Sequence, residues 1–142
     1  MPDLDIIYAK TGNIQRCFKR IRDVTHMDPE SLEDLDKQDI FVLNLQRAVE
    51  ATIDIAAHVV ASKGLGFAST IRENFKFLHQ ADIINQDLSE RMQAMVGFRN
   101  IAVHDYQSLN TAILKAIMEK HLKDIEEFYS LILHKFDRKN LD

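Results

Sequence analysis

Val42-Leu43-Asn44-Leu45-Gln46-Arg47-Ala48-Val49-Glu50-Ala51-Thr52-Ile53-Asp54-Ile55-Ala56-Ala57-His58-Val59-Val60 is the stretch that decides the fold class. Val42, Leu45, Val49, Ile53, Ala56 and Val60 recur three or four residues apart. That is the helical period, and it lays one apolar stripe along a long helix. The helix is predicted from about Asp36 to Ser62, with Gly64 and Gly66 ending it and turning the chain.

The same period extends outward in both directions. A first helix is predicted from about Leu4 to Val24 on Ile7, Ile14, Cys17, Phe18 and Ile21, with Gly12 as a weak point. Pro29 biases Asp28 away from helix, so residues 25–29 read as a loop. A shorter helix from about Ala68 to His79 carries Ile71, Phe75 and Leu78. Asn85 or Asp87 is placed to cap a fourth, on Leu88, Met92, Met95 and Val96. Ser108 or Asn110 is placed to cap a fifth, running from Ile113 through Ile117, Ile125, Phe128 and Ile132 to Phe136. With only 4 Gly and 2 Pro in 142 residues and no regular alternation, an all-α bundle of about five helices is expected. The length suits a single domain over residues 1–142, with a polar tail from about residue 137.

Cys17 is the chain's single cysteine. It excludes an intrachain disulfide and fits a cytoplasmic protein. Its spacing with Ile14, Phe18 and Ile21 places it in the core. The start, Met1-Pro2-Asp3-Leu4-Asp5, lacks a basic leader, and no apolar run reaches the ~20 residues of a membrane span. Neither a secretory leader nor membrane insertion is expected. The net charge of −4 is the wrong sign for a general nucleic-acid binder, so any RNA contact needs a local basic patch. Arg16, Lys19 and Arg20 share a face of the first helix and are one candidate. The acidic stretch from Asp28 to Asp39 reads as solvated surface or a protein-partner contact.

The chemistry concentrates in Phe98-Arg99-Asn100-Ile101-Ala102-Val103-His104-Asp105-Tyr106. Arginine offers a planar fork of donors suited to phosphate. Histidine is the side chain that titrates nearest neutrality. Together they suit phosphodiester cleavage without a metal; the plainer reading, which spacing alone favours, is a helix end with Arg99 and Asp105 solvated and His104 capping a carbonyl. Their five-residue spacing, however, is about 500° on a continuous helix and leaves them about 140° apart. They converge only if the helix ends between them or if a second copy of the chain completes the site. Glu50 and Asp54, four apart on the second helix, read either as a surface ion-pair ladder with Arg47 or as a carboxylate that orients Arg99 or His104. No metal-ligand spacing appears among the six histidines, and no Gly-rich nucleotide loop is present.

Arg99-x4-His104-x-Tyr106, with Asn100 directly after the arginine, resembles the signature of the HepT toxins, a branch of the HEPN ribonucleases. Leu45 to Val59 resembles the long second helix of that branch, so the likeness covers nearly the whole chain. The resemblance implies a dimerising HEPN bundle and a metal-independent endoribonuclease without a cofactor, the toxin component of a type VII toxin–antitoxin system. Attack of the 2′-hydroxyl would leave a 2′,3′-cyclic phosphate, with Arg99 and His104 catalytic and Asn100 and Asp54 supporting. It also implies a nucleotidyltransferase antitoxin that adds AMP to Tyr106, whose tethered phosphate would then occupy Arg99. The alternative is a non-catalytic helical subunit that binds or scaffolds a nucleotidyltransferase.

Overall fold

The computed structural model describes residues 2–137 and contains six α-helices. They are α1 (Leu4–Thr25), α2 (Leu35–Lys63), α3 (Ile71–Gln80), α4 (Gln86–His104), α5 (Thr111–Lys120) and α6 (Leu122–Phe136). Short 3₁₀ turns, Pro29–Glu33 and Tyr106–Ser108, precede α2 and α5. Among the described residues there is no strand, as the patterning predicts. The remainder of the expected polar tail, residues 138–142, lies outside the described residues.

Side chains set most helix ends. Asp3 caps α1 by accepting from the Asp5 N–H, and Asp34 caps α2 by accepting from Asp36 and Lys37. Asn85 and Asn110, rather than Asp87 and Ser108, cap α4 and α5. Each accepts a first-turn N–H that has no partner inside its helix. Gly64 closes α2 at φ +60°, a left-handed conformation that a Cβ would strain. Gly12 does not interrupt α1.

α1 lies along α2 in the most extensive helix pair. α3 packs against α2 and α4, and α6 returns across α1, α2, α4 and α5. Ile7, Ile14, Ile21, Leu45, Ile55 and Phe128 are fully buried at the centre. Phe75 of α3 meets Phe128 of α6 edge to face, with ring centroids 5.6 Å apart. The expected α2 stripe needs one shift of phase: Ile53 is only partly buried, while Ile55 is fully enclosed.

The single fifth helix expected from Ile113 to Phe136 is in fact two. His121, at φ −119°, leaves the helical path, and α6 starts anew beyond it. Asp124 makes this junction. Its N–H donates to the His121 carbonyl at 3.1 Å, and its carboxylate meets His121 Nδ1 at 2.9 Å. A carboxylate in a first helical turn also opposes the positive end of the helix dipole. Because the chain bends here, both Leu114–Ile117–Met118 and Leu122–Ile125–Phe128 reach the core. Lys115 then pins α5 to the 3₁₀ turn through Glu30 and Glu33, at 3.3 and 2.7 Å.

Asp124 is 2 % exposed and is neutralised by Arg91 of α4 at 2.6 Å. Arg91 also holds Asp87 and Glu127, and Glu127 together with Asp124 pushes the guanidinium pKa up and keeps it charged. Removing Arg91 would strand a buried carboxylate with only His121 beside it. Arg91→Ala is expected to lower the unfolding free energy by roughly 3 kcal/mol, measured by urea denaturation. Lys19→Ala, which breaks an exposed pair with Asp23, should change it by less than about 1 kcal/mol.

Candidate active site

α4 carries Phe98 and Ala102 into the core and turns Arg99 toward α2. The helix remains intact through His104; only at Asp105, φ −152° and ψ 61°, does the backbone depart. The Asp105 N–H still donates to the Ile101 carbonyl, closing the last turn. The helix therefore does not end between Arg99 and His104, and their side chains leave it in different directions. Arg99 is three-quarters enclosed, whereas His104 is exposed and its side chain hydrogen-bonds no other described residue.

Glu50 is the carboxylate beside Arg99. Its Oε1 stands 3.4 Å from Arg99 Nε. Gln46 Nε2 donates to the same carboxylate oxygen at 3.4 Å. The Arg99 Nε–H is buried and lacks an aligned acceptor, so the Glu50 contact is one of charge rather than a hydrogen bond. One terminal amino group donates to Asn100 Oδ1 at 3.2 Å. Asn100 thus steadies the arginine from its own helix. Asp54 takes a different part from the expected one: it pairs with Lys10 of α1 at 2.9 Å, one turn farther along α2. Facing Arg99 requires the helix phase of Glu50, not that of Asp54.

A groove of about 400 Å³ runs between α1 and α2 beside this pair, lined by Lys10, Arg16, Arg47, Glu50 and Asp54 among others. Arg47 is exposed and Arg16 is held by Asn13. The local basic patch is therefore shared by α1 and α2, while Lys19 of the expected α1 face is engaged with Asp23. Cys17 sits at the floor of the groove, where burial pushes its thiol pKa up and keeps it protonated.

Tyr106, in the 3₁₀ turn after α4, is 40 % exposed. Its hydroxyl donates a 2.5 Å hydrogen bond to Asp39 near the start of α2. Desolvation and the Asp39 carboxylate together push the phenol pKa up to about 12. Asp39 and Glu50 are eleven residues apart, about 16 Å along α2 and within about 20° of the same face. Tyr106 and Arg99 thus attach to one face of α2 at different heights. In this position the hydroxyl does not point at the Arg99 of its own chain, contrary to the expected placing of a tethered phosphate there. The acidic stretch is also largely spent inside the fold: Asp28 and Asp34 cap, Glu30 and Glu33 bind Lys115, and Asp39 takes Tyr106.

No group of three or more His, Cys, Asp or Glu among the described residues is placed to hold a metal ion. No described helix is long and apolar enough to cross a membrane.

An all-helical bundle with an Arg-x4-His-x-Tyr motif at the end of its fourth helix has the hallmarks of a HEPN-class domain. The family model "Ribonuclease HepT-like" matches residues 14–132, and the chain belongs to that family. It is 44 % identical over 128 residues to the mRNA nuclease HepT of Shewanella oneidensis, covering 90 % of this chain and 96 % of that one. A solved tri-AMPylated HEPN toxin of the same organism, in complex with an MNT antitoxin, superposes with a TM-score of 0.86 at 44 % identity. That match covers 92 % of this chain and 98 % of the toxin. YutE of Bacillus subtilis, a cytosolic protein of unknown function, shares the fold with a TM-score of 0.80 at 10 % identity, covering 97 % and 93 % of the two chains.

Three tyrosines are present. In an absorbance titration one of them, Tyr106, should ionise near pH 12 because its neutral form is favoured in the fold. Asp39→Ala should lower that midpoint without restoring the ordinary value near 10, since the burial contribution remains.

Proposed function

We propose that this chain is the toxin of a toxin–antitoxin pair. It is an endoribonuclease neutralised by a nucleotidyltransferase that adds AMP to Tyr106. The observation that carries the catalytic reading is the partly open guanidinium of Arg99, charge-balanced by Glu50 yet about a quarter exposed, on the helix that presents His104. A guanidinium held in place by one carboxylate and still partly exposed can take a further anion on its open side. The identity of 44 % to an mRNA nuclease supports RNA as the source of that anion. The tri-AMPylated relative in complex with its antitoxin supports the mode of control. The RNA substrate would place this activity in the cytoplasm.

Arg99 binds the scissile phosphate and the charge that develops on it during attack. Glu50 fixes the guanidinium, and Asn100 holds one of its amino groups. His104 takes the proton from the 2′-hydroxyl, or returns one to the leaving 5′-oxygen. Cleavage leaves a 2′,3′-cyclic phosphate and a 5′-hydroxyl, with no bound cofactor taking part. Arg16 and Arg47, in the groove beside Glu50, attract the neighbouring RNA phosphates despite the net negative charge.

The side-chain directions of Arg99 and His104 favour a site completed by a second copy. Ile101 and His104 share a face of α4. Ile101, Val103 and Ile113 are exposed. Next to them, an apolar groove of about 370 Å³ between α4 and α5 is lined by Met95, Phe98, Ile101, Leu109 and Ile113. A two-fold partner docked on this face covers the apolar residues and brings its Arg99 toward His104 of the first copy. AMP on Tyr106, two residues beyond His104, then adds charge and bulk at the mouth of the site.

The purified, unmodified protein should cleave RNA in excess EDTA, and a strict divalent-metal requirement would contradict this mechanism. His104→Ala should reduce cleavage by about 10²- to 10⁴-fold with the melting temperature retained. Tyr106→Phe loses one exposed hydrogen bond worth about 1 kcal/mol. It should keep cleavage within a few-fold while taking up no AMP. Equal neutralisation of Tyr106→Phe and parent protein by the antitoxin would mean inhibition by binding alone.

A further inference from the structure

The hydrogen bond from Tyr106 to Asp39 joins residues 67 positions apart. Asp39 contributes to no helix cap and no ion pair; its carboxylate is spent on the phenol. Beside the pair opens a cavity of about 380 Å³, lined by Asp39, Val42, Leu43, Gln46 and Tyr106. Asp39 and Tyr106 are its only titratable lining groups. An acceptor aligned on a hydroxyl, with open space in front of that oxygen, is the arrangement a phenol needs in order to act as a nucleophile.

We propose that Asp39 is the general base for adenylylation of Tyr106, so that the modified protein supplies the proton acceptor for its own modification. This rests on Tyr106 being the AMP acceptor. In the step, Tyr106 Oη attacks the α-phosphorus of ATP held by the nucleotidyltransferase. The Oη–P bond forms as the bond from the α-phosphorus to the β-phosphate oxygen breaks, and pyrophosphate leaves. The phenolic proton passes to the Asp39 carboxylate and from there to water.

The environment of the phenol explains why an aligned base is needed. With a pKa of about 12, only about one hydroxyl in 10⁵ would be ionised at pH 7. Pre-formed phenolate is therefore a poor route. Asp39 opposes a free phenolate by like charge, yet it is already in line to remove the proton while the new bond to phosphorus draws off the charge. Asp39 thus holds the nucleophile neutral at rest and takes its proton during transfer.

The test follows AMP incorporation by intact mass, with the partner nucleotidyltransferase and magnesium ATP, from pH 6 to 9. Parent protein, Asp39→Asn and Asp39→Glu are compared. Asparagine keeps an oxygen acceptor for Tyr106 but cannot take up its proton. Its rate is expected to fall 100-fold or more and to rise about tenfold per pH unit as phenolate becomes the nucleophile. The parent rate should stay nearly flat over that range, and Asp39→Glu should recover part of the loss. If Asp39→Asn gains AMP at the parent rate with a flat profile, Asp39 only positions the tyrosine and the proposal is overturned. If the parent gains no AMP at all, the modification reading fails and this inference with it.

Discussion

The helical phase of α4 governs everything at this site. Phe98 and Ala102 must face the core, which fixes the rotation of the helix. Arg99 then has no direction but toward α2, and His104, five residues on, must emerge about 140° away. Because the last turn closes through Asp105 and Ile101, the helix offers no late bend to bring the two together. A single chain thus presents the two halves of the proposed site, Arg99 and His104, on different sides. The same rotation exposes Ile101 next to His104, so the surface that lacks its arginine is also the surface that lacks a cover.

α2 acts as the rail against which the motif is positioned. Asp39, Gln46 and Glu50 recur along one face of it, and each touches the motif or steadies a residue that does. Glu50 balances the charge of Arg99 without saturating its donors, which leaves the guanidinium able to take an anion. Asp39 holds Tyr106 at a different height, apart from Arg99. In the proposed scheme cleavage and control are thereby separated along one helix, with Arg99 held near its middle and Tyr106 near its start. On the proposed reading, a neutral phenol hydrogen-bonded to α2 leaves the mouth of the site open, and a phosphodiester in its place would not.

Much of this was legible in the sequence wherever a short-range rule applied. The periodicity of Val42 to Val60 and the glycine at residue 64 specify α2 to within a residue or two at each end. Asn85 and Asn110 signal their helices through capping chemistry. The motif itself is readable because its five polar side chains lie within eight positions. The break at His121 was not, since neither glycine nor proline marks it. Its cause is a buried Asp124 whose partner Arg91 lies 33 residues away. The choice between Glu50 and Asp54 also escaped the sequence, because both lie within reach of one helix face. Only the packing of α1 against α2, which brings Lys10 to Asp54, separates them. Asp39 was hidden in an acidic run in which its neighbours serve as caps and ion pairs.

Whether Arg99 and His104 work in trans is tested most directly by mixing two inactive variants, Arg99→Ala and His104→Ala, unfolding them together and refolding them as one population. A site built across the seam leaves each mixed dimer with one intact site, in which Arg99 comes from one copy and His104 from the other. Random assortment makes half of the dimers mixed, so about a quarter of the parent RNA-cleaving activity should return. If the mixture stays as inactive as either variant alone while sedimenting as dimers, each site is built within one chain and the composite arrangement is wrong.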